Sequence, residues 1–224
     1  IYYQNLDDEL RYATLTSGSW EIKELSSDSS IGLESSLAVD SQDRVHFVYY
    51  SSPNSELIYG ILEDGVLTSE TLGTFSENVD LWDIALDSEG QPHIVYYYKT
   101  ATELVFRSLV KEDGNWESKD LTLAEGDSIS GLSLALDSQG TSHLAYILYE
   151  ESNSLGDSNI IYAEDSTGVW TTENVDTSPE NGFNSLELKL NYQEQPVILY
   201  YDFYYSVNYA LLRDGSWEYK ENPL

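Results

Sequence analysis

An internal repeat constrains the fold of this chain more than any other feature of its sequence. Four segments align without gaps around a polar anchor residue, which is Asp40, Asp87, Asp137 or Asn191. Successive anchors lie 47, 50 and 54 residues apart. A second shared segment follows each anchor and contains a turn with Gly, after which a Trp stands in most copies. Self-similarity at a period of roughly 20 to 50 residues indicates a repeat architecture in which each copy is one supersecondary unit.

Each copy predicts four short strands, and no stretch of the chain sustains the apolar period of a helix. The first strand ends at the anchor, and a turn such as Asp-Ser-x-Gly leads to a second strand such as HIVYY. A polar loop, a third strand, a tight turn with Gly and a fourth strand follow. Asp and Ser side chains cap turn N–H groups and Gly tolerates positive φ, so these turns are typical of hairpins. In most copies the fourth strand opens at a Trp: Trp20, Trp116, Trp170 and Trp217.

Four antiparallel strands per copy are typical of a β-propeller, in which neighbouring blades cover both faces of each sheet. The second strands agree with this architecture, because Phe47, Val48 and Tyr49 form a run that is apolar on both faces. We therefore predict an all-β chain with one domain over residues 1–224. Its expected form is a closed or nearly closed ring of about five four-stranded blades.

The spacing between the second and third strands assigns the N-terminus to the same series. One seven-residue interval separates three pairs: Tyr3 and Leu10, Tyr50 and Leu57, and Tyr97 and Leu104. The corresponding interval from Ile147 to Ile160 is thirteen residues, which indicates an insertion. The first blade is thus predicted to lack its innermost strand. The predicted blades are 1–31, 32–79, 80–129, 130–182 and 183–224.

The run DSEGQPHIVYY at 87–97 is followed by a polar loop, a third-strand piece and a Gly-x-Trp piece. This pattern resembles the propeller repeats of secreted and surface proteins of bacteria and archaea. The resemblance implies a propeller and an extracellular or cell-surface location, and it specifies no activity. The pattern is only superficially similar to the Asp-box of sialidase-type propellers, because anchor and Trp lie 26 to 33 residues apart instead of within one turn.

The composition of the chain limits the kinds of partner that it can bind. Forty acidic and ten basic residues give a formal net charge of −30, which repels nucleic acid and anionic lipid. No apolar run approaches the roughly 18 residues of a membrane span. Cations, cationic surfaces and neutral ligands such as sugars remain, or the charge serves solubility alone. No cofactor is expected apart from Ca²⁺, for which acidic loops at 7–9 and 150–151 offer oxygen ligands.

The first strands of a propeller line its central channel, and one slot on them varies in charge. It holds Ser36, Asp83, Ser133 and Glu187 in the four complete copies. We predict Asp83 and Glu187 as a carboxylate pair near the channel mouth, and the alternative is an ion pair between Glu187 and Lys189. Trp82 is a candidate stacking platform for a ligand, or a Trp buried between blades.

Three tyrosines in or beside polar loops complete the candidate ligand-binding residues: Tyr98, Tyr149 and Tyr204. The alternative is that these loops are merely solvated. The three His occupy one repeat slot, and equivalent residues of successive blades lie too far apart to share one metal ion. We expect each of them to hydrogen-bond a neighbouring turn, with no catalytic residue assigned.

These features favour a non-enzymatic binding or adhesion module outside the cell, with a glycan or a protein as its ligand. Tyr, Trp and acidic side chains in loops suit sugars in particular. One alternative is a glycan-cleaving propeller that uses the channel-mouth carboxylates. Another is a structural or assembly module. Because the sequence begins at Ile1, we also expect the chain to belong to a longer protein or assembly.

Overall fold

The described part of the chain consists of β-strands and their connections. A computed structural model describes residues 2–4, 9–26, 31–75, 79–99, 104–112, 114–123, 128–149, 158–178, 182–202 and 206–221. These residues form nineteen strands and no helix, so none of them belongs to a helix suited to span a bilayer. The predicted all-β class is confirmed.

Consecutive strands pair antiparallel and form five sheets in chain order. Sheet 1 contains β1 (Tyr2–Gln4), β2 (Glu9–Thr16) and β3 (Ser19–Ser26). Sheet 2 contains β4 (Ile31–Val39), β5 (Val45–Ser51), β6 (Glu56–Glu63) and β7 (Val66–Thr74). Sheet 3 contains β8 (Val79–Leu86), β9 (Pro92–Lys99), β10 (Leu104–Glu112) and β11 (Asn115–Leu123). Sheet 4 contains β12 (Ser128–Leu136), β13 (Ser142–Tyr149), β14 (Ser158–Glu164) and β15 (Thr171–Ser178). Sheet 5 contains β16 (Phe183–Leu190), β17 (Pro196–Asp202), β18 (Val207–Arg213) and β19 (Ser216–Glu221).

The strand register follows the repeat except in sheet 3. The expected pairs lie opposite one another in sheets 1, 2 and 4: Tyr3 and Leu10, Tyr50 and Leu57, and Ile147 and Ile160. In sheet 3, Tyr97 lies opposite Phe106, and Leu104 pairs with Lys99 instead. The seven-residue interval therefore does not predict the pairing in this hairpin. Its two strands remain paired as far as Lys99 and Leu104, two residues beyond Tyr97. Sheet 1 has three strands, in agreement with a first copy that lacks its opening strand.

The anchor residues cap the turns between first and second strands. The Asp40 Oδ1 atom accepts the N–H groups of Gln42 and Arg44, both at 2.9 Å. Asp87, Asp137 and Asn191 make the same two bonds in their own turns. The fourth turn position has positive φ in every case: Asp43, Gly90, Gly140 and Glu194. Gly adopts this conformation without a steric cost, so two of the four turns accept some backbone strain.

Apolar side chains fill the space between neighbouring sheets. Four buried clusters lie between sheets 1 and 2, 2 and 3, 3 and 4, and 4 and 5. The second strands of sheets 2, 3 and 4 are buried along nearly their whole length. This burial explains their continuous apolar sequence, because each lies between two neighbouring sheets.

Among the described residues, a neighbouring sheet covers only one face of sheet 5. The first strands β4, β8, β12 and β16 contact one another in chain order, and β1, which corresponds to a second strand, contacts β4. Within the described residues, no contact of similar extent joins sheet 5 to sheet 1, so the expected closure of the ring is not seen there. Leu199 on β17 is 48% exposed, whereas Val95 in the same place on sheet 3 is 1% exposed. Trp20 on sheet 1 is likewise 69% exposed.

Candidate ligand-binding site

A cavity of about 520 Å³ lies where the first strands of sheets 2 to 5 converge. Apolar residues form most of its wall. Four polar residues line it, two of them partly buried and two exposed: Ser36, Asp83, Glu187 and Lys189. The structure therefore places both predicted channel carboxylates beside one cavity.

Asp83 accepts hydrogen bonds from residues on three different strands, β4, β8 and β12. Its Oδ1 atom accepts the Ser36 hydroxyl at 2.6 Å and the N–H group of Ile84 at 2.9 Å. Its Oδ2 atom accepts the N–H group of Leu134 at 2.9 Å. Since Ser36 belongs to sheet 2 and Leu134 to sheet 4, one carboxylate connects three consecutive sheets.

The equivalent residue of sheet 4 also joins neighbouring sheets, although its side chain is smaller. Ser133 stands at the position of Asp83, and its hydroxyl oxygen accepts the N–H group of Leu188 on sheet 5 at 3.1 Å. Burial raises the pKa of Asp83, although the hydrogen bonds from Ser36 and Leu134 act in the opposite direction. Asp83 is therefore a structural clamp between sheets that also contributes charge to the cavity.

Glu187 and Lys189 lie on the side of the cavity that no described sheet covers. The Lys189 Nζ atom is 2.6 Å from Glu187 Oε1, and both side chains are more than half exposed. The ion pair considered for these residues is thus present. An exposed pair of this kind contributes little to stability, so both groups remain available to a ligand at small cost.

Two other predicted site residues, Tyr98 and Tyr149, do not line the cavity. Tyr98 packs beside Phe75 and Tyr96, and the Arg107 guanidinium lies 5.4 Å from the centre of its ring. The Tyr149 hydroxyl donates to the Phe183 carbonyl at 2.8 Å and ties sheet 4 to sheet 5. Both rings are committed to packing. The side chain of Trp82 and the whole of Tyr204 lie outside the described residues.

The three His contact the turns of the first hairpins. His46 lies between the Tyr59 hydroxyl, 2.6 Å from Nδ1, and the Asp40 carboxylate, 3.3 Å from Nε2. The Nε2 atoms of His93 and His143 lie 3.8 and 3.7 Å from the Asp87 and Asp137 carboxylates, so the expected hydrogen bond to the turn forms at His46 and not at these two anchors. Burial lowers the pKa of His46 and of His93, which keeps both rings neutral near pH 7. No group of three or more metal-binding side chains occurs in the described part of the chain.

A second concavity was not predicted from the sequence. It measures about 540 Å³ and lies between β15 of sheet 4 and β17, β18 and β19 of sheet 5. We call it the sheet 4–5 cleft and define it by six residues: Asn174, Asp176, Tyr200, Asn208, Tyr219 and Lys220. The available signal was that Asp176 stands where the second copy has Gly73, but a bulge in each of these two fourth strands, β15 and β7, hides this equivalence.

Consecutive four-stranded meanders, packed face to face with their first strands around a central cavity, define a β-propeller whose sheets are its blades. No protein-family model matches the chain, and no curated protein is significantly similar in sequence. Solved structures do match it, and all those described below share the propeller fold.

A fungal lectin from Aleuria aurantia, described as a six-bladed β-propeller with a novel fucose recognition mode, matches with a TM-score of 0.64 and 14% identity. The match covers 96% of this chain and 70% of the lectin. The α-L-arabinanase of Penicillium chrysogenum matches with a TM-score of 0.59 and 9% identity, over 84% of this chain and 65% of the enzyme. The α-L-arabinofuranosidase of Fusarium graminearum matches with a TM-score of 0.61, 9% identity and coverages of 86% and 66%. The chain thus spans slightly less than two thirds of either enzyme, and identities this low show the fold alone.

Proposed function

We propose that this propeller is a non-enzymatic carbohydrate-binding module that acts outside the cell or at its surface. The solved structures that share its fold include a fucose lectin and arabinose-specific glycosidases, so the choice lies between binding a glycan and cleaving one. Fold does not make that choice, and the chemistry of the cavity has to.

One observation carries the proposal, namely the hydrogen bonding of Asp83. Glycoside hydrolysis needs two carboxyl groups, one of which delivers a proton to the leaving oxygen. Asp83 instead holds Ser36, Ile84 and Leu134 in place with both of its oxygens. A carboxyl group that delivered its proton to a substrate would have to give up contacts that join three blades.

The remaining polar groups suit binding. Glu187 offers acceptors and Lys189 offers donors at the open side of the cavity, and sugar hydroxyls both donate and accept hydrogen bonds. The apolar wall formed by Ala85, Leu134 and Ala135 supplies a surface for sugar C–H groups. Small-ligand sites usually combine apolar side chains with a few placed polar groups, and this cavity has both.

The alternative function is hydrolysis, and the raised pKa of Asp83 is the observation that favours it, because a general acid needs such a shift. The two functions predict different behaviour. A hydrolase should lose turnover in both Asp83→Asn and Glu187→Gln while binding persists.

A glycan array and a panel of chromogenic glycosides, applied to the same preparation, test the proposal. We expect binding to at least one glycan and no turnover of any glycoside. Glu187→Gln and Lys189→Gln should weaken binding at the channel without lowering the melting temperature. Turnover that Asp83→Asn and Glu187→Gln each abolish would show an enzyme, and neither binding nor turnover would indicate a structural or assembly module.

A further inference from the structure

The sheet 4–5 cleft contains a fixed carboxylate that is held from two sides. The Tyr200 hydroxyl donates to Asp176 Oδ2 at 2.7 Å, and the N–H group of Thr177 donates to Asp176 Oδ1 at 2.8 Å. Each carboxylate oxygen can accept more than one hydrogen bond, so Asp176 retains free acceptor capacity. Its orientation is already set, which reduces the entropy cost of binding a ligand.

A second acceptor in the cleft has no partner within the described part of the chain. The Oδ1 atom of Asn208 is buried and accepts no hydrogen bond there, while its Nδ2 atom donates only weakly to the Ser206 carbonyl at 3.4 Å. A buried acceptor without a donor costs stability. Because this atom has almost no solvent-exposed surface, a ligand hydroxyl removes the cost only if the Asn208 amide shifts toward the cleft to accept it.

The rim of the cleft supplies an aromatic surface and a cation. Tyr219 is 54% exposed, yet its hydroxyl donates to the Val175 carbonyl at 2.6 Å, so its ring is held in place at the surface. Lys220 is exposed and makes no ion pair among the described residues. An aromatic ring, a carboxylate, an amide and an ammonium group therefore converge on one concavity.

The corresponding space between sheets 2 and 3 is filled. Gly73 takes the place of Asp176 there, opposite Leu57, as Asp176 lies opposite Ile160. The ring of Phe75 packs over this Gly and lies 5.6 Å from the ring of Tyr96, which is the equivalent of Tyr200. The open cleft is thus a departure from the repeat and not a general feature of how these blades pack.

We propose that the sheet 4–5 cleft is a binding subsite for a neutral mono- or disaccharide, separate from the central cavity. The ligand's hydroxyls bond Asp176, Asn208 and Lys220, and its apolar face lies on the Tyr219 ring. A neutral ligand is favoured because the chain's net charge of −30 repels anions and Asp176 and Lys220 offset each other. This inference rests on the proposed carbohydrate-binding function.

Two substitutions in the cleft and one matched control test the subsite. Asn208→Leu removes the unpaired acceptor and should leave the melting temperature unchanged or raise it, because no buried acceptor is left unpaired. Lys220→Gln changes an exposed side chain. Lys23→Gln is the control for this substitution. Lys23 lies opposite Tyr12 in sheet 1, as Lys220 lies opposite Tyr209 in sheet 5, but Lys23 does not line the cleft.

The probes are the methyl glycosides of L-fucose, L-arabinose, D-galactose and D-mannose, together with arabinobiose, titrated by calorimetry and by amide chemical shifts. For a sugar that binds, we expect Asn208→Leu and Lys220→Gln each to weaken affinity about tenfold or more, a loss of about 1.4 kcal/mol. Lys23→Gln should bind like the parent, and the amides of Tyr219 and Lys220 should shift in the parent.

The outcomes separate this inference from the proposed function. Binding that Glu187→Gln or Lys189→Gln weakens, with Asn208→Leu and Lys220→Gln both unaffected, overturns the cleft subsite and leaves carbohydrate binding intact. No binding by any probe or any glycan on the array overturns both. If Asn208→Leu does not fold, Lys220→Gln and the chemical shifts decide the question.

Discussion

The Asp83 carboxylate accepts hydrogen bonds from both neighbouring blades. Its partners Ser36 and Leu134 lie 47 and 51 positions away in the chain. Such contacts cannot be read from local sequence, and only the slot comparison with Ser36 and Ser133 indicated that this position was unusual. The anchors Asp40 and Asp87 were predictable as turn caps, because their partners lie two and four residues away.

Replacing Asp83 should test the clamp directly. Asp83→Ala leaves the Leu134 N–H group and the Ser36 hydroxyl without their acceptor, and we expect a loss of about 2 kcal/mol in the free energy of unfolding. Asp83→Ser should lose clearly less, since Ser133 fulfils the same role in sheet 4. Urea denaturation followed by tyrosine fluorescence measures both. Equal losses in the two variants would argue against the clamp.

His46 gives the fold a defined response to acid. Burial lowers its folded-state pKa below the unfolded value near 6.5, so the unfolded chain binds the proton more readily than the folded protein does. The stability that depends on neutral His46 is present above about pH 6.5 and is lost as the pH falls below it. The neighbouring groups keep their charge states throughout this range, because hydrogen bonds lower the pKa of Asp40, the Asp40 carboxylate raises that of Arg44, and burial raises that of Tyr59.

The measurement compares the parent with His46→Gln from about pH 7.5 to about pH 5.5. We expect the stability advantage of the parent over the variant to shrink toward acid pH. Comparing two proteins in the same buffers cancels the general effect of neutralising carboxylates. An advantage that is constant or grows toward acid pH would contradict the assignment of a neutral, buried imidazole.

At the scale of the strand, the second strands were predictable and the hairpin details were not. Apolar runs on both faces predicted strands covered by two neighbours, and this holds for β5, β9 and β13. β17 has an equally apolar sequence but alternates between buried and partly exposed residues, because one of its faces has no described neighbour. An apolar sequence shows which faces of a strand can be buried, but whether a face is buried depends on a neighbouring sheet that covers it.

Two equivalent residues turn this difference into a prediction. Val95 and Leu199 occupy the same place on β9 and β17, but they are 1% and 48% exposed. Val95→Ala should cost about 2 kcal/mol through lost packing. Leu199→Ala should cost about 0.5 kcal/mol or less, as expected at a surface site. Guanidinium denaturation of both variants tests this, and a large cost at Leu199 would show that something covers the open face of sheet 5 in solution.

The bulges in the fourth strands were equally hidden from the sequence. Val175 lies in one such bulge, which brings Asp176 within reach of Tyr200. An extra residue in one strand reverses the side-chain alternation beyond it, so a pattern of period two gives no warning of the result. The sheet 4–5 cleft therefore could not be predicted from the sequence, whereas the sheets on either side of it could.

Charge acts at the scale of the whole molecule. A net charge of −30 on 224 residues destabilises the compact state by self-repulsion, and salt screens that repulsion. The screening length falls from roughly 30 Å at 0.01 M to roughly 10 Å at 0.1 M ionic strength. We expect the melting temperature to rise with NaCl over this range, and to rise equally with choline chloride.

Calcium provides the matching control for specific binding. A larger rise per mole with CaCl₂ than with MgCl₂ would indicate that acidic loops, such as residues 7–9 and 150–151, bind Ca²⁺ through oxygen ligands. Most of these residues lie outside the described part of the chain. A melting temperature that responds to none of these salts would contradict both the screening effect and the ion site.

The uncovered face of sheet 5 also has a consequence for how the chain reaches its folded state. The hydrogen bonds between neighbouring blades join residues only 24 to 56 positions apart, such as Asp176 with Tyr200 and Ser138 with Glu194. Bringing the two ends of the array together would close a loop several times longer, and each doubling of loop length adds about 0.6 kcal/mol of chain entropy. The extensive contacts among the described residues join only neighbouring blades, and folding through them avoids that step. Any adjacent pair of blades can serve as the nucleus, and further blades add in either direction, with no slow phase in which one end waits for the other.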